Sequence, residues 1–125
     1  MAPYSIEEFE TLVAEALVDL PAEFQEKLEN IQIEVQEWPS RQDLIRAGLP
    51  PGQTLLGLYH GIPLTKRGQG YNLVLPDRIT LYRGPIEQVG RTPAGIRRQV
   101  RHVVLHEIAH HFGISDARLR ELGAY

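Results

Sequence analysis

The 125-residue chain contains no cysteine, one tryptophan and, apart from Met1, no methionine. Without cysteine there is no disulfide framework, no thiolate zinc ribbon or iron–sulfur cluster, and no thiol nucleophile. Any metal must be held by nitrogen and oxygen. No stretch approaches the roughly 20 consecutive apolar residues of a membrane span. The start, Met1-Ala2-Pro3-Tyr4-Ser5-Ile6-Glu7-Glu8, lacks the basic segment and apolar core of a secretion signal, so the cytoplasm is the expected compartment and a membrane is not an expected partner. Neither charge dominates, with 13 Lys+Arg against 16 Asp+Glu for a net charge of −3. The length and the 42% hydrophobic content suit one domain over residues 1–125, a size that buries roughly two-thirds of the surface of its unfolded chain.

Charge is nonetheless segregated. Residues 1–40 carry ten acids and one base, Lys27, while residues 41–125 carry six acids and twelve bases. The expected arrangement is an acidic pair of N-terminal helices packed beside a basic remainder, the two fields largely cancelling. The densest basic run, Arg97-Arg98-Gln99-Val100-Arg101-His102, shares its segment with apolar residues at helical spacing and has no interleaved aromatics to stack on bases. Nucleic acid is therefore not an expected partner.

Ser5 and Glu8 form a capping-box pattern, and Phe9, Leu12, Val13, Ala16, Leu17 and Leu20 line one face of the helix that follows. Pro21 suits the first turn of a second helix reaching about Asn30. Ile31-Gln32-Ile33-Glu34-Val35 alternates as a half-buried strand. Ser40 to Ala47, closed by Gly48, reads as a short helix before a Pro50-Pro51-Gly52 turn. Thr54 to Tyr59 reads as a second strand, Lys66-Arg67-Gly68-Gln69-Gly70 as a mobile loop, and Ile79-Thr80-Leu81-Tyr82 as a third strand bounded by Pro76 and Gly84-Pro85. Thr92-Pro93 starts a long helix predicted to run through Phe112 to Gly113. Ser115 or Asp116 caps a last short helix through Leu122, stopped by Gly123.

The long helix carries His106-Glu107-Ile108-Ala109-His110. Histidines four residues apart differ by about 40° in direction and one turn in height, so both imidazoles reach one metal ion. Glu107 then stands beside the ion, where it takes a proton from an activated water and hands it to a leaving amine. The five-residue pattern alone is weakly specific. It continues as His111-Phe112-Gly113-Ile114-Ser115-Asp116, giving H-E-x-x-H-x-x-G-x-x-D. Gly113 can end the helix with positive φ and swing the chain back, making Asp116 the candidate third ligand, with a helix-capping role as its metal-free alternative.

With these residues in view, the sequence resembles the small bacterial zincin-like metallopeptidase family, a minimal form of the H-E-x-x-H metalloproteases long catalogued as a domain of unknown function. The resemblance covers nearly the whole chain: an N-terminal helix with Leu20-Pro21, Leu55-Leu56-Gly57-Leu58-Tyr59, Leu75-Pro76-Asp77-Arg78 leading into Ile79 to Tyr82, His106 to Gly113, and the Asp116 to Gly123 tail. It implies an α+β zincin-like fold, a small mixed sheet packed on an active-site helix with N-terminal helices. It implies His106, His110 and Asp116 as zinc ligands, Glu107 as general base, and a peptide or protein substrate. The chain departs from the larger zincins. It has no methionine to lie beneath the metal, and Asp116 stands where a third histidine is usual. Where related enzymes recruit a glutamate from a downstream helix, Glu121 is the one available here.

Two histidines and a carboxylate also suit Fe(II), Mn(II), Ni(II) or Co(II), so zinc is the leading cofactor among divalent ions. His102 lies one turn before His106 and is read mainly as a surface or supporting group, His111 as a poor ligand able to hydrogen-bond substrate, and His60 as a surface residue. Tyr59, Tyr71, Tyr82 and Tyr125 are candidate donors to a developing oxyanion, with core or interface roles the plainer reading. The strand Ile79 to Arg83 is the expected edge for an added peptide strand. So small a chain predicts a shallow cleft and leaves room for a protein partner. The competing readings are a non-catalytic metal-binding or regulatory module with the same fold, and a metal-free interaction protein.

Overall fold

A computed structural model of the chain describes residues 4–49, 55–61 and 77–121. The expectations for Pro50-Pro51-Gly52, Lys66 to Gly70, Tyr71, Leu122, Gly123 and Tyr125 lie outside the described residues. Helix α1 (Ile6–Val18) begins with the predicted capping box, in which Ser5 accepts from the Glu8 amide and Glu8 accepts from the Ser5 amide. Its apolar stripe, Phe9, Leu12, Val13 and Ala16, is buried. Helix α2 (Ala22–Leu28) follows, with Pro21 at the N-cap in extended conformation rather than inside the first turn. Strand β1 (Ile31–Gln36) leads to α3 (Arg41–Arg46), whose Ser40 and Asp43 form a second capping box. Strand β2 (Gly57–His60) begins after Leu55 and Leu56, Thr54 lying outside the described residues, and β3 runs Asp77–Tyr82.

Gly84-Pro85 bounds β3 as expected, and the same pair opens helix α4 (Arg83–Gly90), which the sequence pattern does not announce. The residue pair sits in the first turn, where a proline's missing N–H has no intrahelical acceptor to lose, so the helix starts there without penalty. Helix α5 (Pro93–Phe112) has Thr92 as N-cap and Gly113 as a left-handed C-cap at φ 71°, both as predicted. Helix α6 (Asp116–Glu121) is capped by Ser115, whose Oγ accepts from the Arg118 amide, which leaves Asp116 as its first residue rather than its cap.

The three described strands form one mixed sheet in the order β1-β3-β2, with β1 parallel and β2 antiparallel to β3. Strand β3, expected at the edge, is central; among the described strands β2 occupies the edge beside α5. Alternation sends Ile79 and Leu81 to one face, into a core with Phe9, Val100, Val104 and Ile108 from α1 and α5. It sends Tyr82 to the other face, where its hydroxyl donates to Asp43 of α3 at 2.8 Å. The fold is thus α+β and zincin-like, with α5 under the sheet. The charge segregation resolves into cross-element pairs: Arg97 with Glu15, Arg101 with Asp19 and Arg118 with Glu23, all at 3.3–3.8 Å. Among the described residues no helix is long and apolar enough to cross a membrane.

Candidate metal centre and catalytic carboxylate

Helix α5 and strand β2 lie along each other, and their repeats match. Four helical residues rise about 6.0 Å and two strand residues about 6.6 Å, so residues at i, i+4 and i+8 of the helix can meet alternate residues of the strand. Val103, Glu107 and His111 do so against Gly57, Tyr59 and Gly61. A Cβ on Gly57 would fall 2.5 Å from Val103 Cγ1 and 3.1 Å from the Thr80 carbonyl oxygen, so its absence lets the helix close on the strand. One step along, the Tyr59 amide donates to Glu107 Oε1 at 2.9 Å. One step further, the His111 ring stacks on Tyr59 at 4.1 Å between centroids and 15° between planes.

Glu107 is half-buried. Burial pushes its carboxyl above the ordinary value, opposed by the Tyr59 amide and by His110 and His106. His106 lies half-buried and His110 exposed on the same helix, one turn apart. His106 Nδ1 is 2.9 Å from the His102 carbonyl oxygen. A carbonyl only accepts, so Nδ1 is the donor there and Nε2 is the ring nitrogen that a metal would engage. The His102 ring itself lies against His106 at 4.1 Å and 34°. Burial, and secondarily His106, hold His102 below the usual histidine range. In chemistry and spacing these two histidines fit a divalent ion of zinc's softness.

The described residues do not gather three His, Asp or Glu side chains into a group able to hold a metal ion. Asp116 stands exposed at the start of α6, on a segment anchored by the Ile114 amide to the Ala109 carbonyl at 2.8 Å and by the buried Leu119. Glu121 pairs with Arg118 at 3.1 Å. Of the tyrosines weighed as oxyanion donors, Tyr82 is fully buried and bonded to Asp43, while Tyr59 donates to Asp77 Oδ2 at 2.6 Å. His60, expected at the surface, is half-buried with Nδ1 3.4 Å from Arg46. Sequence reasoning does not single out Asp77, Gly57, Gly61 or the Tyr59 backbone amide. The trace it offers is Gly57-Leu58-Tyr59-His60-Gly61, two glycines flanking an aromatic on one face of a strand.

This architecture, a mixed sheet over a helix that carries H-E-x-x-H with its glutamate tied to the neighbouring strand, defines a zincin-like class of protein. A model of the zincin-like metallopeptidase family matches residues 28–124, and the chain belongs to that family. Among solved structures, a conserved hypothetical protein from Thermus thermophilus superposes with a TM-score of 0.57 at 24% identity, covering 87% of this chain and 94% of that one. At that identity the likeness speaks to fold alone. No curated protein matches.

Proposed function

We propose that this chain is a zinc-dependent peptidase acting on peptide or protein substrates through Glu107 as general base, with His106 and His110 as metal ligands and Asp116 as the third. The observation that carries the reading is the Glu107 carboxylate, anchored through one oxygen to the Tyr59 amide and flanked on its own helix by two histidines, one with its tautomer fixed. Anchoring Oε1 leaves Oε2 as the oxygen that accepts a proton from the attacking water and returns it to the leaving amine. A bound zinc ion supplies Lewis acidity, lowering the pKa of water towards neutrality and polarising the amide carbonyl. Among the described strands the outer edge of β2, in place of the β3 edge expected from sequence, is where an extended peptide would lie.

The first test is elemental analysis of untagged protein. One zinc per chain in wild type, lost in His106→Ala, supports the site. No metal in either after dialysis against zinc would overturn it, leaving the alternative of a zincin-shaped interaction module. Turnover of a peptide library by wild type and not by Glu107→Gln supports the chemistry.

A further inference from the structure

A glutamate side chain has three rotatable bonds, and one hydrogen bond positions its carboxylate only as well as the donor is itself positioned. The donor here is the backbone amide of Tyr59, on a strand with a single partner among the described strands. Tyr59 is held from three directions. Its backbone is in register with Ile79 of β3. Its hydroxyl donates to Asp77 Oδ2 at 2.6 Å. Its ring lies under the His111 imidazole at 4.1 Å, nearly parallel. His111 is not loosely laid there, because a Cβ on Gly61 would come 2.7 Å from its Cε1. Gly61 flanks the edge of the stacked pair, since the same Cβ would also come 3.5 Å from Tyr59 Cε1, and His111 Nε2 lies 3.7 Å from the Asp77 oxygen that the Tyr59 hydroxyl engages. That separation exceeds a hydrogen bond, so the stack on Tyr59 and the contact with Gly61 hold the ring.

Glu107 and His111 are one turn apart on α5, and both grip Tyr59, one at its amide and the other at its ring. We infer that His111 is a positioning residue: by pinning Tyr59 against β3 and Asp77 it fixes the amide that orients the Glu107 carboxylate. Its catalytic consequence rests on Glu107 acting as general base, but the positional claim is measurable without turnover.

The test is hydrogen exchange and the proton chemical shift of the Tyr59 amide, read by NMR on the full chain with and without zinc. Glu107→Ala, which removes the acceptor, sets the unprotected limit. His111→Ala is expected to speed exchange of the Tyr59 amide by about tenfold to a hundredfold, the worth of a hydrogen bond to a charged group, and to shift its resonance upfield. The Val104 and Ile108 amides stay as in wild type. His111→Phe, which keeps a flat ring stacked on Tyr59, restores protection, and Gly61→Ala, whose Cβ displaces the imidazole, mimics His111→Ala. In the peptidase assay His111→Ala lowers kcat with KM and zinc affinity little changed. Unchanged Tyr59 exchange in His111→Ala would overturn the inference. So would an equal rise at Tyr59, Val104 and Ile108, which marks general loosening of the fold. If wild type turns over no peptide, the general-base reading fails while the amide readout still decides the role of His111.

Discussion

Replacing Glu107 by Ala and by Gln separates its contact with Tyr59 from its proposed role as general base. In the fold, Oε1 accepts the Tyr59 N–H at 2.9 Å in a part-buried position. Truncation to Ala leaves that donor without its partner, a cost of about 1–2 kcal/mol, the lower part of the range for an orphaned donor because water reaches the site in part. For a chain of 125 residues this lowers Tm by about 4–8 °C. Gln keeps an oxygen acceptor at the same place and removes the charge that burial opposes. Its stability is expected to equal or slightly exceed that of wild type. In the proposed chemistry the two converge, because neither can take a proton from water, and turnover is expected to fall by about 10²–10⁴ in both. The assays are urea and thermal unfolding followed by far-ultraviolet circular dichroism, zinc affinity by chelator competition, and peptide turnover. Gln destabilising as much as Ala would show that the Tyr59 contact does not support the fold. Gln retaining turnover would refute the general-base assignment.

Three further outcomes follow from the same geometry. Gly57→Ala drives a Cβ into Val103 and the Thr80 carbonyl, so it should cost about 1–3 kcal/mol and cut turnover by moving α5 off β2. Because both histidines ride on α5, its zinc affinity should change little; a large loss of metal would show that β2 shapes the ligand set as well. Zinc at about one hundred times its Kd should raise stability by about 2.7 kcal/mol in wild type and not in His110→Ala, read as a thermal shift reversed by chelator. Glu87 is buried on α4 beside Arg83, its side chain 5% exposed, and burial raises its carboxyl above the ordinary value against the pull of Arg83. A folded-state pKa raised above the unfolded one means its stabilising effect is full below the unfolded value near 4.5 and is lost as pH rises through the folded value. Glu87→Gln should therefore be about 1 kcal/mol more stable than wild type at pH 7, the gap closing toward pH 4 in urea titrations. A gap independent of pH would refute this.

The features legible in the chain are those whose physics is local. Ser5 with Glu8, Ser40 ahead of α3, and Thr92-Pro93 announce helix starts because a capping side chain bonds an amide two or three residues away. Gly113 announces a helix end because it adopts positive φ cheaply. The helix Arg83–Gly90 escapes such reading because Gly84-Pro85 is chemically a turn pair, and what turns it into a helix start is the burial of Pro85, Ile86 and Glu87 against the rest of the fold. The edge expected at β3 lies elsewhere because alternation reports which face of a strand is buried but not which strands lie beside it.

His106, Glu107 and His110 share their spacing by covalent connection through one helix, so sequence alone determines that the two histidines lie one turn apart with Glu107 between them. The family resemblance is likewise legible in sequence. Tertiary structure decides what holds the carboxylate. The donor is a backbone amide 48 residues away, which every non-proline residue possesses and no residue type advertises. The match between two strand steps and four helix steps, with Gly57 and Gly61 clearing the approach, exists only once α5 and β2 are packed.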